Sequence, residues 1–214
     1  MITRMDNDIG QLISLLDSLE IEENTVVFFS SDNGPRKIMS QFFNSNGPYR
    51  GFKRDLYEGG IRVPLIVRWP GKIAADRTSD HISAFWDMLP TFAEIANITV
   101  PEKIDGISLL PELVNEPQKE HEFLFWSFFT YNSNWSPGAE FPRNHLERKA
   151  VRMGKWKAVR NNLKNNPEAA IELYDLSIDI GEQNNVAAQF PAVVKNMNRL
   201  FKEEFKNSEY FRKN

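Results

Sequence analysis

An aspartate and an asparagine, Asp32 and Asn33, follow directly after a short apolar run in this 214-residue chain. Residues 26–30 read VVFFS, which is typical of a buried strand, and Gly34 and Pro35 then take the backbone out of that strand. Carboxylate and amide oxygens are the hard ligands that Ca²⁺ and Mg²⁺ prefer in proteins. The pair therefore predicts part of a divalent-cation site that suits Ca²⁺ or Mg²⁺. The competing interpretation is that Asp32 caps the turn that follows the strand.

A second group of residues is basic and lies in a glycine-rich segment, residues 47–64, which reads GPYRGFKRDLYEGGIRVP. Its cations are Arg50, Lys53, Arg54 and Arg62. Cations fixed on a backbone that glycine makes permissive suit the oxygens of sulfate or phosphate. The competing interpretation is a solvated loop that joins two strands. Because the segment follows a candidate metal site, we favour a site in which a metal ion and a cation together bind an oxyanion.

The elements that must position these residues predict an α/β fold. We expect residues 1–112 to form the C-terminal part of a mostly parallel sheet sandwiched by helices, since a near-continuous apolar strand is typical of such sheets. Ligands of these sheets bind beyond the carboxyl ends of the strands, where Asp32 lies. A second strand is expected at 61–71 and an amphipathic helix at 80–97, with a kink or boundary at Pro90. Apolar residues at helical spacing predict a first helix through Met5, Ile9, Leu12, Leu16 and Leu19.

The second half of the chain, residues 113–214, predicts a small four-stranded antiparallel subdomain with a terminal helix. Its strands and its helix are expected at residues 123–129, 148–160, 169–176 and 184–206. Gly154 is expected to turn the middle segment into a hairpin, which brings the number of strands to four.

Composition and charge exclude several classes of function. The apolar content of 41%, with 16 Phe and 5 Trp, is enough for a packed core. A net charge of −3 and the absence of basic runs argue against a nucleic-acid partner. The chain has no cysteine, which excludes disulfides, thiolate zinc sites and cysteine chemistry within it. Its longest apolar runs are as short as a strand and predict no membrane span, and acidic residues near Met1 argue against a signal peptide.

Four segments, in this order, resemble the C-terminal portion of a formylglycine-dependent sulfatase, arylsulfatase-like and of the alkaline phosphatase superfamily. The segments are FFSSDNGP, PYRGFKRDLYEGGIRVPLIVRWPGKI, DHISAFWDMLPTFAEIA and ELYDLSIDIGEQNNVA. The resemblance covers most of residues 1–112 and the region 148–190, and it is poor over 113–147. It implies a sulfuric ester hydrolase that acts on a sulfated small molecule or glycan in the periplasm or outside the cell.

The resemblance also implies roles for individual residues. Asp32 and Asn33 correspond to ligands of a calcium ion, and Lys53 corresponds to the lysine that contacts a sulfate oxygen. Residues 58–60 correspond to the scaffold of that loop. The family's nucleophile, a formylglycine made from Cys or Ser in C/S-x-P-x-R, has no counterpart, because no cysteine is present and no serine precedes a proline by two positions. We therefore expect a truncated fragment, beginning at Met1, that needs the N-terminal half of the catalytic domain and is inactive alone.

Further residues are candidate substrate contacts: Arg50, Arg54, Trp135, Arg143 and His145. The last three lie in a polar and aromatic loop, residues 130–147, whose length is typical of a functional loop. Two alternative functions remain open, a phosphonate or phosphate monoester hydrolase of the same superfamily and a non-catalytic glycan-binding module. His81 and His121 are expected to be capping or surface histidines, and Asp87 is expected to be structural.

Overall fold

The computed structural model describes residues 1–129 and 147–205. The helices are α1 (Ile2–Ser18), α2 (Lys37–Phe43), α3 (Glu58–Ile61), α4 (Met88–Ile95), α5 (Leu110–Leu113) and α6 (Pro191–Glu203). The strands are β1 (Val27–Ser30), β2 (Leu65–Arg68), β3 (Leu124–Phe129), β4 (Glu147–Met153), β5 (Trp156–Arg160) and β6 (Glu172–Asp175). Short 3₁₀ turns occupy Glu22–Asn24 and Phe85–Asp87. No helix in the described ranges is both long enough and apolar enough to cross a membrane.

The chain forms two compact units. The first contains Met1–Ser31 and Pro64–His121, and the second contains Asp32–Val63 and Glu122–Asn214. The segment with the candidate metal and anion residues therefore belongs to the same unit as the four-stranded sheet. The division into residues 1–112 and 113–214 stays a prediction.

The first unit contains the predicted first helix and a pair of strands. The helix predicted from the apolar spacing is confirmed as α1, and β1 and β2 lie within the predicted strand segments. The two strands pair antiparallel, with Ser30 opposite Leu65, because the chain leaves the carboxyl end of β1 and enters β2 from that same end. Both sheets in the described residues are antiparallel, so the expected parallel pairing is not found there, although the mixed α/β class is confirmed.

The helix predicted at 80–97 is shorter than expected. It begins at Met88, after a 3₁₀ turn, and Pro90 lies in its first turn, where the missing N–H has no partner to lose. Asp87 is buried and accepts hydrogen bonds from the backbone N–H groups of Ala84 (2.7 Å) and Ile107 (2.8 Å). These bonds confirm its structural role.

His121 is not the surface residue that the sequence suggested. Its Nε2 lies 2.9 Å from Asp87 Oδ1, and its side chain is only 9% exposed. The histidine therefore joins the buried carboxylate that organises the start of α4. His81, by contrast, precedes the 3₁₀ turn and lies outside any helix.

The second unit is built on a sheet in the order β3-β4-β5-β6, antiparallel throughout, as predicted. Gly154 turns the β4–β5 hairpin with a φ of 54°. The closing helix α6 begins at Pro191 and not near residue 184, since proline is well placed at the first position of a helix. One sheet face packs against α6 through a cluster that includes Val151, Ala158, Leu173, Met197 and Leu200.

The opposite face of the sheet carries a second cluster. Ala150, Val159 and Tyr174 on this face pack with Leu56 and Tyr57 from the glycine-rich segment. Alternation along each strand places charged residues on the same face. These are Arg148 and Arg152 on β4, Lys157 on β5 and Glu172 on β6.

Candidate functional site

Main-chain hydrogen bonds join three backbone segments around the predicted metal and anion residues. The N–H of Gly34 donates to the carbonyl of Gly60 at 2.9 Å, and the N–H of Lys53 donates to the carbonyl of Pro35 at 2.7 Å. The N–H of Gly59 donates to the carbonyl of Arg50 at 2.7 Å. The segments 32–35, 50–55 and 58–60 are thus fixed to one another by their main chains.

Glycine is required where these segments cross. A Cβ added to Gly34 would collide with the carbonyl oxygen of Gly59, and a Cβ added to Gly59 would lie 2.5 Å from the carbonyl oxygen of Gly51. The glycines of the D-N-G and E-G-G motifs therefore permit a close approach of backbones that any side chain would prevent.

These hydrogen-bonded segments bring two of the predicted site residues together. Lys53 Nζ lies 3.8 Å from Asp32 Oδ2, and the two side chains remain 41% and 82% exposed. The amide nitrogen of Asn33 donates to the carbonyl of Gly34 at 3.0 Å, which places its amide oxygen on the other side of Cγ. Asp32 and Lys53 are therefore exposed neighbours in the second unit, and the half-buried Asn33 follows Asp32 in the chain.

The chemistry of these donors fits part of a calcium site. Asp32 offers an exposed carboxylate and Asn33 an amide oxygen, both hard ligands of the kind that calcium takes. Within residues 1–129 and 147–205, no group of three or more His, Asp or Glu side chains is arranged to hold a metal ion. Further oxygen ligands would have to accompany this pair, since calcium takes about six to eight.

Arg50 is held by the protein on several sides. Its guanidinium lies over the ring of Tyr57, 3.9 Å from the centroid, and donates to the hydroxyl of Tyr174 at 2.8 Å and to the carbonyl of Glu182 at 2.9 Å. The hydroxyls of Tyr57 and Tyr174 both donate to Glu172 at 2.6 Å. Burial, with the bond to Glu172, raises the pKa of Tyr57 to about 12. These contacts indicate that Arg50 braces the segment, and its predicted contact with substrate stays a prediction.

A buried charge network lies beneath the E-G-G helix α3. Lys157 Nζ donates to Glu58 Oε1 at 2.7 Å, and both side chains are almost fully buried. Burial alone would raise the pKa of Glu58, but attraction to Lys157, with Arg152 and Arg62, holds it below its ordinary value. Glu58 is therefore a buried carboxylate that ties α3 to β5.

Glu182 completes this network from the loop before α6. Its Oε2 accepts the N–H of Glu58 at 2.7 Å, while its Oε1 is buried, has no hydrogen-bond partner and lies 3.9 Å from Lys157 Nζ. Burial raises the pKa of Glu182 from 4.5 to about 7, and attraction to Lys157 only partly opposes this shift. Below about pH 7 the folded protein therefore favours the protonated form of Glu182.

We expect Glu182→Gln to remove a pH dependence of stability. Between pH 4.5 and about 7 the unfolded carboxyl has lost its proton and the folded one has not, so the wild-type free energy of unfolding falls as the pH rises. The shift corresponds to on the order of 3 kcal/mol. Urea denaturation across this pH range should show that the free energy of unfolding of Glu182→Gln increases relative to that of wild type as the pH rises. The exposed Glu168→Gln should show no such gain, and parallel wild-type and Glu182→Gln curves would contradict the expectation.

The remaining predicted residues have distinct surroundings. Arg54 has a φ of 81°, and Arg62 lies over the ring of Tyr49, 4.8 Å from the centroid, and 3.6 Å from Glu58. The candidate substrate residues Trp135, Arg143 and His145 lie outside the described residues, so their role stays a prediction.

Comparison with known proteins identifies the family. The chain is 40% identical over 132 residues to human steryl-sulfatase, an alignment that spans 58% of this chain and 23% of that enzyme. It is 29% identical to an N-acetylgalactosamine-6-O-sulfatase of Bacteroides thetaiotaomicron over 94% of this chain and 40% of that enzyme. The family model for N-sulphoglucosamine sulphohydrolase, C-terminal, matches residues 47–208. The chain belongs to the sulfatase family.

A solved structure supports the same assignment for this sulfatase chain. The structure of BT4656 in complex with its substrate D-glucosamine-2-N,6-O-disulfate superposes with a TM-score of 0.74 and 29% identity. The alignment covers 95% of this chain and 38% of that one. The sulfatase chain thus spans about a quarter to two fifths of the length of these relatives.

Sequence reasoning missed the residues that brace the site of this sulfatase. The segment ELYDLSIDIGEQNNVA was noticed only as part of the resemblance, but Glu172, Tyr174 and Glu182 within it hold Arg50 and Glu58. The available signal was the alternation of charges along the strands, which puts several of them on one sheet face.

Proposed function

We propose that this chain is the C-terminal part of a sulfatase that hydrolyses sulfate esters at the edge formed by Asp32, Asn33 and Lys53. The proposal is carried by the 3.8 Å separation of Lys53 Nζ and Asp32 Oδ2 on a backbone fixed by three interlocking segments. Family membership supports the reaction class, and the geometry supports the choice of these three residues.

Asp32 and Asn33 would hold a calcium ion together with ligands from outside this chain. When bound, calcium would supply positive charge that withdraws electron density from the sulfate group. Lys53 places an ammonium group beside that position, where it can bind a sulfate oxygen and offset the negative charge that develops there. Both side chains are exposed, so that Lys53 is accessible to a sulfate group and Asp32 to a metal ion.

The nucleophile is proposed to lie in a further part of the protein, as a formylglycine. This chain has no cysteine and no serine in the required setting. Its contribution is therefore to bind and orient the sulfate and to fix the charges around it, and the chain alone is expected to be inactive. Location in the periplasm or outside the cell is part of the same proposal.

The substrate class that we propose is a sulfated amino sugar. The matching family model describes an N-sulphoglucosamine sulphohydrolase, the Bacteroides thetaiotaomicron relative is an N-acetylgalactosamine-6-O-sulfatase, and BT4656 binds D-glucosamine-2-N,6-O-disulfate. These three proteins share the amino sugar as the carrier of the sulfate group.

The test measures sulfate release from glucosamine 6-sulfate and glucosamine N-sulfate by the chain joined to its nucleophile-bearing part. We expect turnover that stops when calcium is chelated and that Lys53→Ala lowers by about 10²–10³-fold in kcat/KM. Lys72→Ala, at an exposed lysine of the first unit, is the matched control and should retain wild-type activity.

Other outcomes would reject parts of this proposal. Wild-type kcat/KM in Lys53→Ala would remove that lysine from the site. Faster hydrolysis of a phosphate monoester than of either sulfate would favour the phosphatase alternative. Calcium-dependent sulfate release by the chain alone would show that its nucleophile lies within these 214 residues.

A further inference from the structure

The turn that carries Lys53 is closed by Asp55. The N–H of Asp55 donates to the carbonyl of Phe52 at 2.8 Å, and Asp55 Oδ2 accepts the N–H of Phe52 at 3.2 Å. Lys53 lies inside this turn, and its own N–H is held by the carbonyl of Pro35. The direction of the Lys53 side chain therefore depends on the turn staying closed.

Arg148 reaches this turn from β4. Its Nη1 donates to the carbonyl of Arg54 at 2.9 Å and forms a short ion pair with Asp55 Oδ1. The side chains of Arg148 and Asp55 are only 20% and 14% exposed. A charge-assisted contact with so little access to water holds its geometry more firmly than a surface ion pair does.

The backbone of the turn is strained at Arg54. Its φ of 81° lies in the left-handed region, which residues with a Cβ rarely adopt. Such a conformation persists only where surrounding contacts hold it. The hydrogen bond from Arg148 to the Arg54 carbonyl is a contact of this kind, and it acts one residue after Lys53.

We infer that Arg148 is a positioning residue for Lys53. It holds the 52–55 turn through Asp55 and through the carbonyl of Arg54, and so it fixes where the Lys53 ammonium lies beside Asp32. This inference rests on the proposed function, in which Lys53 contacts the sulfate. Without Arg148, residue 54 can relax to a negative φ, and Lys53 keeps its charge but loses its direction.

The first test uses the chain joined to its nucleophile-bearing part and measures its affinity for inorganic sulfate by titration calorimetry in the presence of calcium. Arg148→Met should weaken binding about tenfold, the equivalent of one charge-assisted hydrogen bond. Arg160→Met is the matched control, since Arg160 is a poorly exposed arginine of β5 that donates to the carbonyl of Ala169, away from the turn. It should leave sulfate affinity unchanged.

Combining Arg148→Met with Lys53→Ala distinguishes a positioning role from general destabilisation. If Arg148 acts through Lys53, Arg148→Met should cause no further loss of sulfate affinity once Lys53 is gone. An equal loss in both backgrounds, or no loss in either, would overturn the inference. Arg148→Lys should restore only part of the affinity, because Nη1 makes both bonds and the shorter lysine side chain places its ammonium elsewhere.

A second readout does not depend on sulfate. We expect Arg148→Met to speed hydrogen exchange of the Lys53 N–H by at least about tenfold and to leave exchange of the Val159 N–H, in the middle of the sheet, unchanged. Unchanged exchange at Lys53 would overturn the positioning role. Should the wild-type chain joined to its nucleophile-bearing part bind no sulfate while this exchange result holds, the proposed function fails and the structural coupling of Arg148 to Lys53 stands.

Discussion

Gly34→Ala is expected to disable the site and to destabilise the second unit. The added Cβ would meet the carbonyl group of Gly59, 2.9 Å from its carbon, and the Cα of Gly60 at 3.0 Å. These are backbone atoms, so no side chain can rotate away to relieve the contact. The hydrogen bond from Gly34 to the carbonyl of Gly60 must lengthen as the segments move apart.

Two measurements check the size of this effect. The free energy of unfolding should fall by about 3 kcal/mol. The kcat/KM of the sulfatase that carries the chain should fall by at least about 100-fold, since a shift of about 1 Å at a catalytic group has that consequence. Gly10→Ala in α1 is the control, because its Cβ meets nothing within 4 Å. A Gly34→Ala variant with wild-type stability and activity would show that the segments are not locked together.

Lys157→Met is expected to cause the second large effect, on stability. Lys157 is fully buried, and its removal leaves the carboxylate of Glu58 buried with its closest cationic partner gone. Breaking a buried ion pair from one side costs about 3–5 kcal/mol, which is a large part of the stability of a typical domain. The loss should be greatest above about pH 7, where Glu182 is also charged.

Hydrogen exchange in β4 and β5 is the appropriate measurement, because it reports on the second unit alone. The Val159 N–H should exchange much faster in Lys157→Met than in wild type. Lys155→Met is the matched control, since Lys155 is half-exposed in its contact with Asp175 and should have a small effect. If the Val159 N–H exchanged as slowly in Lys157→Met as in wild type, Glu58 would be protonated or its charge would be balanced by another group.

Local patterns predicted the antiparallel sheet well. The alternation of β4 and β5 and the turn residue Gly154 are local features, and the structure has the expected four antiparallel strands with a hairpin at Gly154. Such features need no knowledge of distant partners. Asp32 and Lys53 lie 3.8 Å apart, and their roles as a metal ligand and a sulfate contact stay predictions.

Other features depend on distant partners and were not predictable. Lys157 and Arg148 look like ordinary solvated charges in the sequence. Only their contacts with a segment more than 90 residues earlier show that Lys157 is buried and that Arg148 is largely covered. The antiparallel pairing of β1 with β2 likewise depends on the path of the long connection between them. The helix boundaries at Met88 and Pro191 moved inward because proline favours the first turn of a helix.

The grouping of residues 32–63 with the four-stranded sheet has a consequence for protein engineering. A chimera that exchanged only residues 122–205 between two sulfatases would separate Arg148, Lys157 and Glu182 from their hydrogen-bond partners within residues 32–63. Grafting that sheet together with residues 32–63 would transfer the proposed sulfate-binding residues and the side chains that support them as one piece. Recombination libraries should therefore place their crossovers near residues 31 and 64, and near 121, and not at the start of the sheet alone.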